Sequence, residues 1–150
     1  MTNASTHRGF GYAWLAFSGA VALHVTDEAT HDFLSVYNPA ALAIRERLPF
    51  LPIPTFTFDI WLAGLIAGIV LLLCLSPLAF RGNARLRLIT LPLAVIVGVL
   101  NAFGHLGGSL YFQRWMPGVY SAPVLLIAAI WLLFAADWLK PHVDPAAKKA

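Results

Sequence analysis

Residues 60–75 read IWLAGLIAGIVLLLCL, and this stretch decides the fold. It contains no charged residue, and the apolar run around it extends from about Phe58 to Phe80. A helix that crosses the hydrocarbon of a bilayer needs ~20 mainly apolar residues, because the helix rises only ~1.5 Å per residue. The run therefore predicts a transmembrane helix over about 58–80.

Three further segments have the same apolar character, over about 10–33, 86–111 and 119–139. The whole chain of 150 residues is 59% hydrophobic and 11% charged, and its mean hydropathy is +0.75. A soluble domain has about 25% charged residues, so this chain cannot cover its surface with polar groups in water. The composition predicts an all-α fold, an integral membrane four-helix bundle whose single transmembrane domain covers 1–150 and whose partner is the lipid bilayer.

The connections between these segments contain prolines and charged residues. Pro39 predicts the end of the first helix, since the residue before a proline disfavours the helical conformation. The sequence PAALAIRERL at residues 39–48 predicts a short interfacial helix in the first loop. Residues 140–150 are expected to form a loose C-terminal tail.

Basic residues are divided unevenly between the two ends of the four predicted helices. Seven lie on the side that holds both termini: Arg8, Arg81, Arg85, Arg87, Lys140, Lys148 and Lys149. Three lie on the opposite side: Arg45, Arg47 and Arg114. The positive-inside rule then predicts cytoplasmic N- and C-termini, and the compactness of the chain suggests a bacterial inner membrane. No basic face with interleaved aromatic residues is visible, so we expect no nucleic-acid partner.

Ionisable residues gather in the half of the first helix that lies toward the non-cytoplasmic side. They are His24, Asp27, Glu28 and His31. An ionisable side chain inside a span costs ~2.5–3.5 kcal/mol on insertion scales and usually marks a function. Glu28 is four residues after His24 and three before His31, and both spacings bring side chains together on one helix face. The pattern predicts a site whose catalytic residues are Glu28, His24 and Asp27.

The third helix adds Asn101 and His105, again four residues apart and at a similar depth. A histidine from this helix beside His24 and Glu28 would complete a His₂Glu set, which is known from catalytic zinc sites with an open position for water. We therefore expect zinc or iron, since these ligand types do not separate the two metals. The candidate metal ligands are His24, Glu28, His31 and His105. The candidate substrate-binding residues are Asn101, Tyr111 and Arg114.

Three short motifs stand in a fixed order: HVTDE at 24–28, Asn101-x-x-x-His105, and RWMPG at 114–118. In order and spacing they resemble the HXXEE-motif family of small integral membrane proteins, over residues from about 13 to about 135. This chain departs from the family pattern at Asp27, where the family has Glu. The resemblance implies a membrane fold and a site at these motifs. The family has no established activity, so the resemblance does not indicate a reaction.

Several functions are compatible with this pattern. The first is a metal-dependent enzyme, a hydrolase or an oxidoreductase, that acts on a lipid-like or small apolar substrate. The second is a metal-free lipid isomerase, in which His24 and Glu28 move protons. The third is a metal or proton carrier or a partner subunit, and four helices are few for alternating access, so a carrier would require a homo-oligomer. A purely structural polar network is the remaining interpretation, but interhelical hydrogen bonds average below ~1 kcal/mol, which is little against the insertion cost.

Overall fold

A computed structural model describes residues 2–139 of the protein, and within them it contains helices and no strand. The five helices are α1 (Thr2–Thr30), α2 (Leu34–Arg47), α3 (Phe58–Phe80), α4 (Ala84–Phe112) and α5 (Ala122–Ala135). The prediction of an all-α chain is confirmed. The predicted loose tail at 140–150 lies outside the described residues.

The first helix ends earlier than its sequence predicts. α1 stops at Thr30, and Asp32 then adopts a left-handed conformation with φ of 54°. Pro39 lies inside α2, so the prediction that this proline ends the first helix is wrong. Proline holds its own φ near the helical value, and α2 therefore continues through Pro39 at the loss of one backbone hydrogen bond.

Two helices are long and apolar enough to cross a membrane, judged by length and composition within the described residues. They are α3, with 23 residues and a mean hydropathy of 2.5, and α4, with 29 residues and a mean hydropathy of 2.0. Only 11% of the most apolar part of α3 is buried against the rest of the protein. Its leucine and isoleucine side chains thus point mainly outward, unlike those of a core helix in a water-soluble protein. α5 is also apolar, but its 14 residues make only ~21 Å of helix, shorter than the predicted segment 119–139.

α1 lies in the centre of the packed helices. It contacts α3 on one side and α5 on the other, and α5 in turn contacts the middle of α4. Phe10, Trp14 and Phe17 of α1 are fully buried in the core that these helices enclose. The indole Nε1 of Trp14 donates a hydrogen bond of 2.8 Å to the carbonyl oxygen of Leu72 in α3. The central position of α1 explains how the polar residues His24, Asp27 and Glu28 of this helix are buried.

α4 contains a π-helical segment, Ala94–Leu100, which begins just after Pro92. The buried residues of α4 ahead of its last turns recur at every fourth position: Leu86, Thr90, Ala94, Gly98 and Ala102. Four residues advance a regular α-helix by ~400°, so such a stripe would drift by ~40° at each step. A π-helix has more residues in each turn, so four residues advance it by less than a full turn. The π-helical segment therefore compensates for the drift of the α-helical parts. The stripe therefore stays on one side, and α4 contacts α5 through both its π-helical and its C-terminal parts.

Gly98 allows the close approach of α4 to α5, and this yields a stability prediction. A Cβ atom at Gly98 would overlap the Cβ of Ala129 and press on the ring of Phe17. We expect Gly98→Ala to lower the free energy of unfolding by ~1–3 kcal/mol through overpacking. The matched control is Gly68→Ala on the outer face of α3, where a Cβ would meet no atom within 4 Å. Thermal unfolding in detergent measures both, and equal melting temperatures for the two variants would contradict the helix contact.

Candidate functional site

Three ionisable side chains from two helices meet in the interior: His24 and Glu28 of α1 and His105 of α4. One ligand atom from each lies within 4.8 Å of the other two. His105 Nε2 is 3.0 Å from Glu28 Oε1, and His24 Nε2 is 3.6 Å from the same oxygen. The exposed fractions of the three residues are only 2%, 5% and 7%. We refer to these residues as the His–Glu–His cluster.

The loop between α4 and α5 closes the cluster from one side. Gly118 in this loop has a φ of 83°, a conformation that residues with a Cβ rarely adopt. A Cβ at Gly118 would lie 2.7 Å from Cε1 of His105 and 3.0 Å from Cε1 of His24. Only glycine therefore lets the backbone pass this close to both imidazole rings.

Ser121 connects the cluster to Asp27. The Ser121 hydroxyl donates to Asp27 Oδ2 at 2.7 Å, and the Ser121 backbone N–H donates to the same oxygen at 2.9 Å. His24 Nδ1 is 2.8 Å from Ser121 Oγ. Among residues 2–139, the one further hydrogen-bond neighbour of the hydroxyl is the carbonyl oxygen of Gly118, at 3.2 Å, which can only accept. Since the hydroxyl has a single proton, His24 Nδ1 must be the donor to Ser121 Oγ.

This hydrogen-bond order determines the tautomer of His24. A neutral imidazole that carries its proton on Nδ1 has a lone pair on Nε2. His24 Nε2 is fully buried and has no hydrogen-bond partner among residues 2–139. It faces the carboxylate of Glu28, which is also an acceptor when ionised. A buried acceptor without a partner costs ~1–3 kcal/mol, and a cation between Nε2 and Oε1 would satisfy both atoms.

His31 lies outside the His–Glu–His cluster. Its Nδ1 is 2.9 Å from Asp27 Oδ1 and 2.8 Å from the Asp27 carbonyl oxygen, and half of its side chain is exposed. Its ring also packs near Tyr120, with ring centroids 5.4 Å apart. The i, i+3 spacing from Glu28 therefore brings His31 to the neighbouring carboxylate of Asp27 rather than to the cluster. The predicted role of His31 as a metal ligand stays a prediction.

The residues predicted to bind substrate are spread along the second half of α4. Asn101 is half-buried one helical turn before His105. Tyr111 is 81% exposed, near the end of the helix. Arg114 is exposed in the following loop, where its guanidinium lies 5.8 Å from the centre of the Phe112 ring. Of the three, only Asn101 lies close along the chain to a residue of the cluster.

Phe33 covers the cluster on the side of α2. Its ring centroid lies 5.7 Å from that of His105, and its ring stacks on Trp61 of α3 and on Tyr37 of α2. Asn38 of α2 holds the loop that follows this helix. Its side-chain amide donates a hydrogen bond to the Phe56 carbonyl oxygen and accepts one from the Phe56 backbone N–H. The buried cluster thus lies beside a stack of aromatic side chains.

Sequence reasoning missed Ser121 and Phe33. Ser121 is the residue before α5, a place where serine commonly caps the helix with its hydroxyl. Here it makes no such side-chain cap, because its hydroxyl bonds to Asp27 and His24. In a single sequence, a serine at a helix start indicates a capping residue and does not indicate a partner elsewhere in the chain. The contacts of Ser121 with Asp27 and His24 therefore could not have been predicted.

The contacts of Ser121 yield a prediction about stability. Ser121→Ala would leave His24 Nδ1 without its partner and Asp27 Oδ2 with only one, both buried. We expect this change to lower the free energy of unfolding by ~1–3 kcal/mol. The control is Ser18→Ala, because Ser18 is equally buried but its hydroxyl bonds only to the Trp14 carbonyl within α1. If both variants unfold at the same temperature in detergent, the described hydrogen-bond network is incorrect.

Comparisons with known proteins place these residues in a family. A family model described as a protein of unknown function with an HXXEE motif matches residues 14–132. No curated protein and no solved structure matches the chain. The matched range contains the whole His–Glu–His cluster as well as Asp27 and Ser121, and His24-Val25-Thr26-Asp27-Glu28 carries the motif with Asp in its fourth place. The match covers more than half of the chain and confirms the resemblance: the chain belongs to the family of proteins of unknown function with an HXXEE motif.

Proposed function

We propose that this protein is an integral membrane enzyme that holds a zinc or iron ion at His24, Glu28 and His105. The observation that carries the proposal is the lone pair of His24 Nε2, which is buried, has no partner among residues 2–139, and faces a carboxylate. Two imidazole nitrogens and one carboxylate oxygen form a ligand set that leaves a coordination position open. A metal ion bound there would activate water or polarise a substrate oxygen.

The membrane part of the proposal has its own support. α3 and α4 are long and apolar, and much of their large apolar surface is exposed: Ile60, Val70, Leu71, Leu88, Ile96 and Leu100 are all more than half exposed. A protein in water rarely exposes contiguous apolar patches of this extent, whereas lipid would cover them. α1 has 29 residues, or ~43 Å of helix, enough to cross a bilayer. Together with α5 these helices make the proposed four-span bundle, with both termini in the cytoplasm and the cluster toward the opposite side.

The surrounding residues have definable roles in this proposal. Asp27 and Ser121 hold the His24 ring with Nε2 directed into the cluster, which is the task of the hydrogen-bond partners behind metal ligands. Gly118 and Phe33 exclude water from the rings of His24 and His105. An aromatic enclosure of this kind favours a lipid-like or small apolar substrate over a strongly hydrated one.

A metal-free acid–base enzyme is the second candidate function. It is favoured by the 3.0 Å contact between His105 Nε2 and Glu28 Oε1, which forms a hydrogen bond without any ion. Such a pair, held away from water, can transfer protons to and from a bound lipid. Metal content separates the two candidates.

The test is elemental mass spectrometry on detergent-purified protein expressed with zinc and iron available. We expect about one ion per chain in the wild type, and loss of the ion in Glu28→Gln and His105→Ala, because each removes one of three ligands. The matched control is His31→Ala, which removes a histidine from the same helix but outside the cluster, and we expect it to keep the ion.

Either of two results would overturn the metal proposal. A folded wild type without metal would leave the acid–base function. A metal that is retained in both cluster variants but lost in His31→Ala would mean that a different set of residues binds it. Circular dichroism of each variant shows that it has kept its helices, so that loss of metal is not confused with loss of structure.

A further inference from the structure

A groove lies beside the C-terminal end of α4 and has a volume of about 430 Å³. Its apolar part is formed by Leu106, Leu110 and Val119, and its outer end by Gln113, Arg114 and Trp115. We refer to it as the Arg114 groove. One end of the groove is therefore apolar and the other carries the Arg114 guanidinium. This arrangement suits a ligand that has an apolar and an anionic end.

Arg114 has no charged partner in the part of the chain that the structure describes. The ion pairs among residues 2–139 involve other residues, and the guanidinium lies over the Phe112 ring, 5.8 Å from its centre. By contrast, Arg87 at the other end of α4 is paired with Asp137 at 2.7 Å. A guanidinium presents a fork of N–H donors that matches phosphate oxygens, so the groove has an unused anion-binding group at its outer end.

The position of the groove agrees with the orientation of a lipid in a bilayer. Trp115 lines its outer end and stacks on Tyr120, and Tyr111 lies in the last turn of α4; Tyr111, Trp115 and Tyr120 are 81%, 75% and 58% exposed. Exposed aromatic residues of this kind are enriched at the level of the lipid headgroups. From there the apolar wall runs along α4 from Leu110 to Leu106, one helical turn or ~6 Å toward the membrane interior. A headgroup at Arg114 would thus direct its hydrocarbon chain inward.

The groove and the His–Glu–His cluster are formed by neighbouring residues of the chain. Leu106 follows His105 along α4, and Val119 follows Gly118, whose backbone passes against the rings of both histidines. We propose that the Arg114 groove binds a phospholipid with an anionic headgroup and that lipids of this class are the substrate of the site. The assignment as substrate rests on the proposed function, whereas the lipid-binding site itself does not.

A lipid fits the groove better than free inorganic phosphate. Free phosphate would use only the exposed guanidinium, and an exposed pair of this kind contributes little in water. A phospholipid would in addition place its acyl chain along the apolar wall of Leu106, Leu110 and Val119, which free phosphate cannot contact favourably. The acyl chain is therefore part of what the groove recognises.

The test uses protein in vesicles of phosphatidylcholine with a small fraction of phosphatidylglycerol, in which one lipid or the other carries brominated acyl chains. Brominated lipid quenches nearby tryptophan, and the signal of Trp115 is the difference between wild type and Trp115→Phe. We expect about a fivefold preference for phosphatidylglycerol at Trp115, the effect of one arginine near the membrane surface. We expect Arg114→Gln to abolish this preference. The control is Arg47→Gln at the exposed end of α2, which should retain it.

The outcomes separate this inference from the metal proposal when metal content is measured on the same samples. Equal quenching by the two lipids in the wild type, or an unchanged preference in Arg114→Gln, would overturn the lipid site. A preference that depends on Arg114 in a protein that contains no metal would establish the lipid site and overturn its role in metal-assisted chemistry. An excess of inorganic phosphate that removes the preference would show that the groove recognises the anion alone and would also overturn the inference.

Discussion

The contact between His24 Nε2 and Glu28 Oε1 places two hydrogen-bond acceptors 3.6 Å apart in a buried part of the protein. His24 Nε2 has no hydrogen-bond partner among residues 2–139, so a cation or a proton between the two atoms would replace the water that it has lost, whereas Glu28 Oε1 also lies 3.0 Å from His105 Nε2. Much of the structure around the site depends on this pair. Ser121 fixes the proton of His24 on the other nitrogen, and His105 supplies the third group from a different helix.

The two acidic residues of the motif have different environments although they are adjacent in sequence. Successive residues of a helix point ~100° apart, so Glu28 faces the histidine rings while Asp27 faces the start of α5. One oxygen of Asp27 accepts two hydrogen bonds from Ser121, and the other lies 2.9 Å from His31. The contacts of the shorter aspartate side chain thus lie outside the cluster. This geometry gives Asp27 a role in positioning His24, and its predicted part in catalysis stays a prediction.

The packing of the helices positions and buries the His–Glu–His cluster. α1 carries His24 and Glu28 and lies between α3 and α5, so its position buries the cluster. The small residues of α4 that recur every fourth position let this helix approach α5 closely, and the π-helical segment keeps them in line. His105 follows directly in the last turns of α4 and is thereby aimed at α1. A π-helical segment near a functional residue is a recurring feature of helical proteins.

The sequence by itself determined the helical class, the long apolar run of α3 and the position of His24 and Glu28 on one face of α1, because these follow from local properties. The length of an apolar run indicates whether a helix could span a bilayer, and the i, i+4 spacing indicates which side chains lie on one face of a helix. Only the tertiary structure decided that His31 turns to Asp27, that Ser121 joins Asp27 across 94 residues of chain, and that Phe33 covers His105. These contacts depend on how helices pack against one another and on a π-helical turn that shifts the register of α4. Neither leaves a periodic signal in a single sequence, since a packing contact is specified by two distant segments at once.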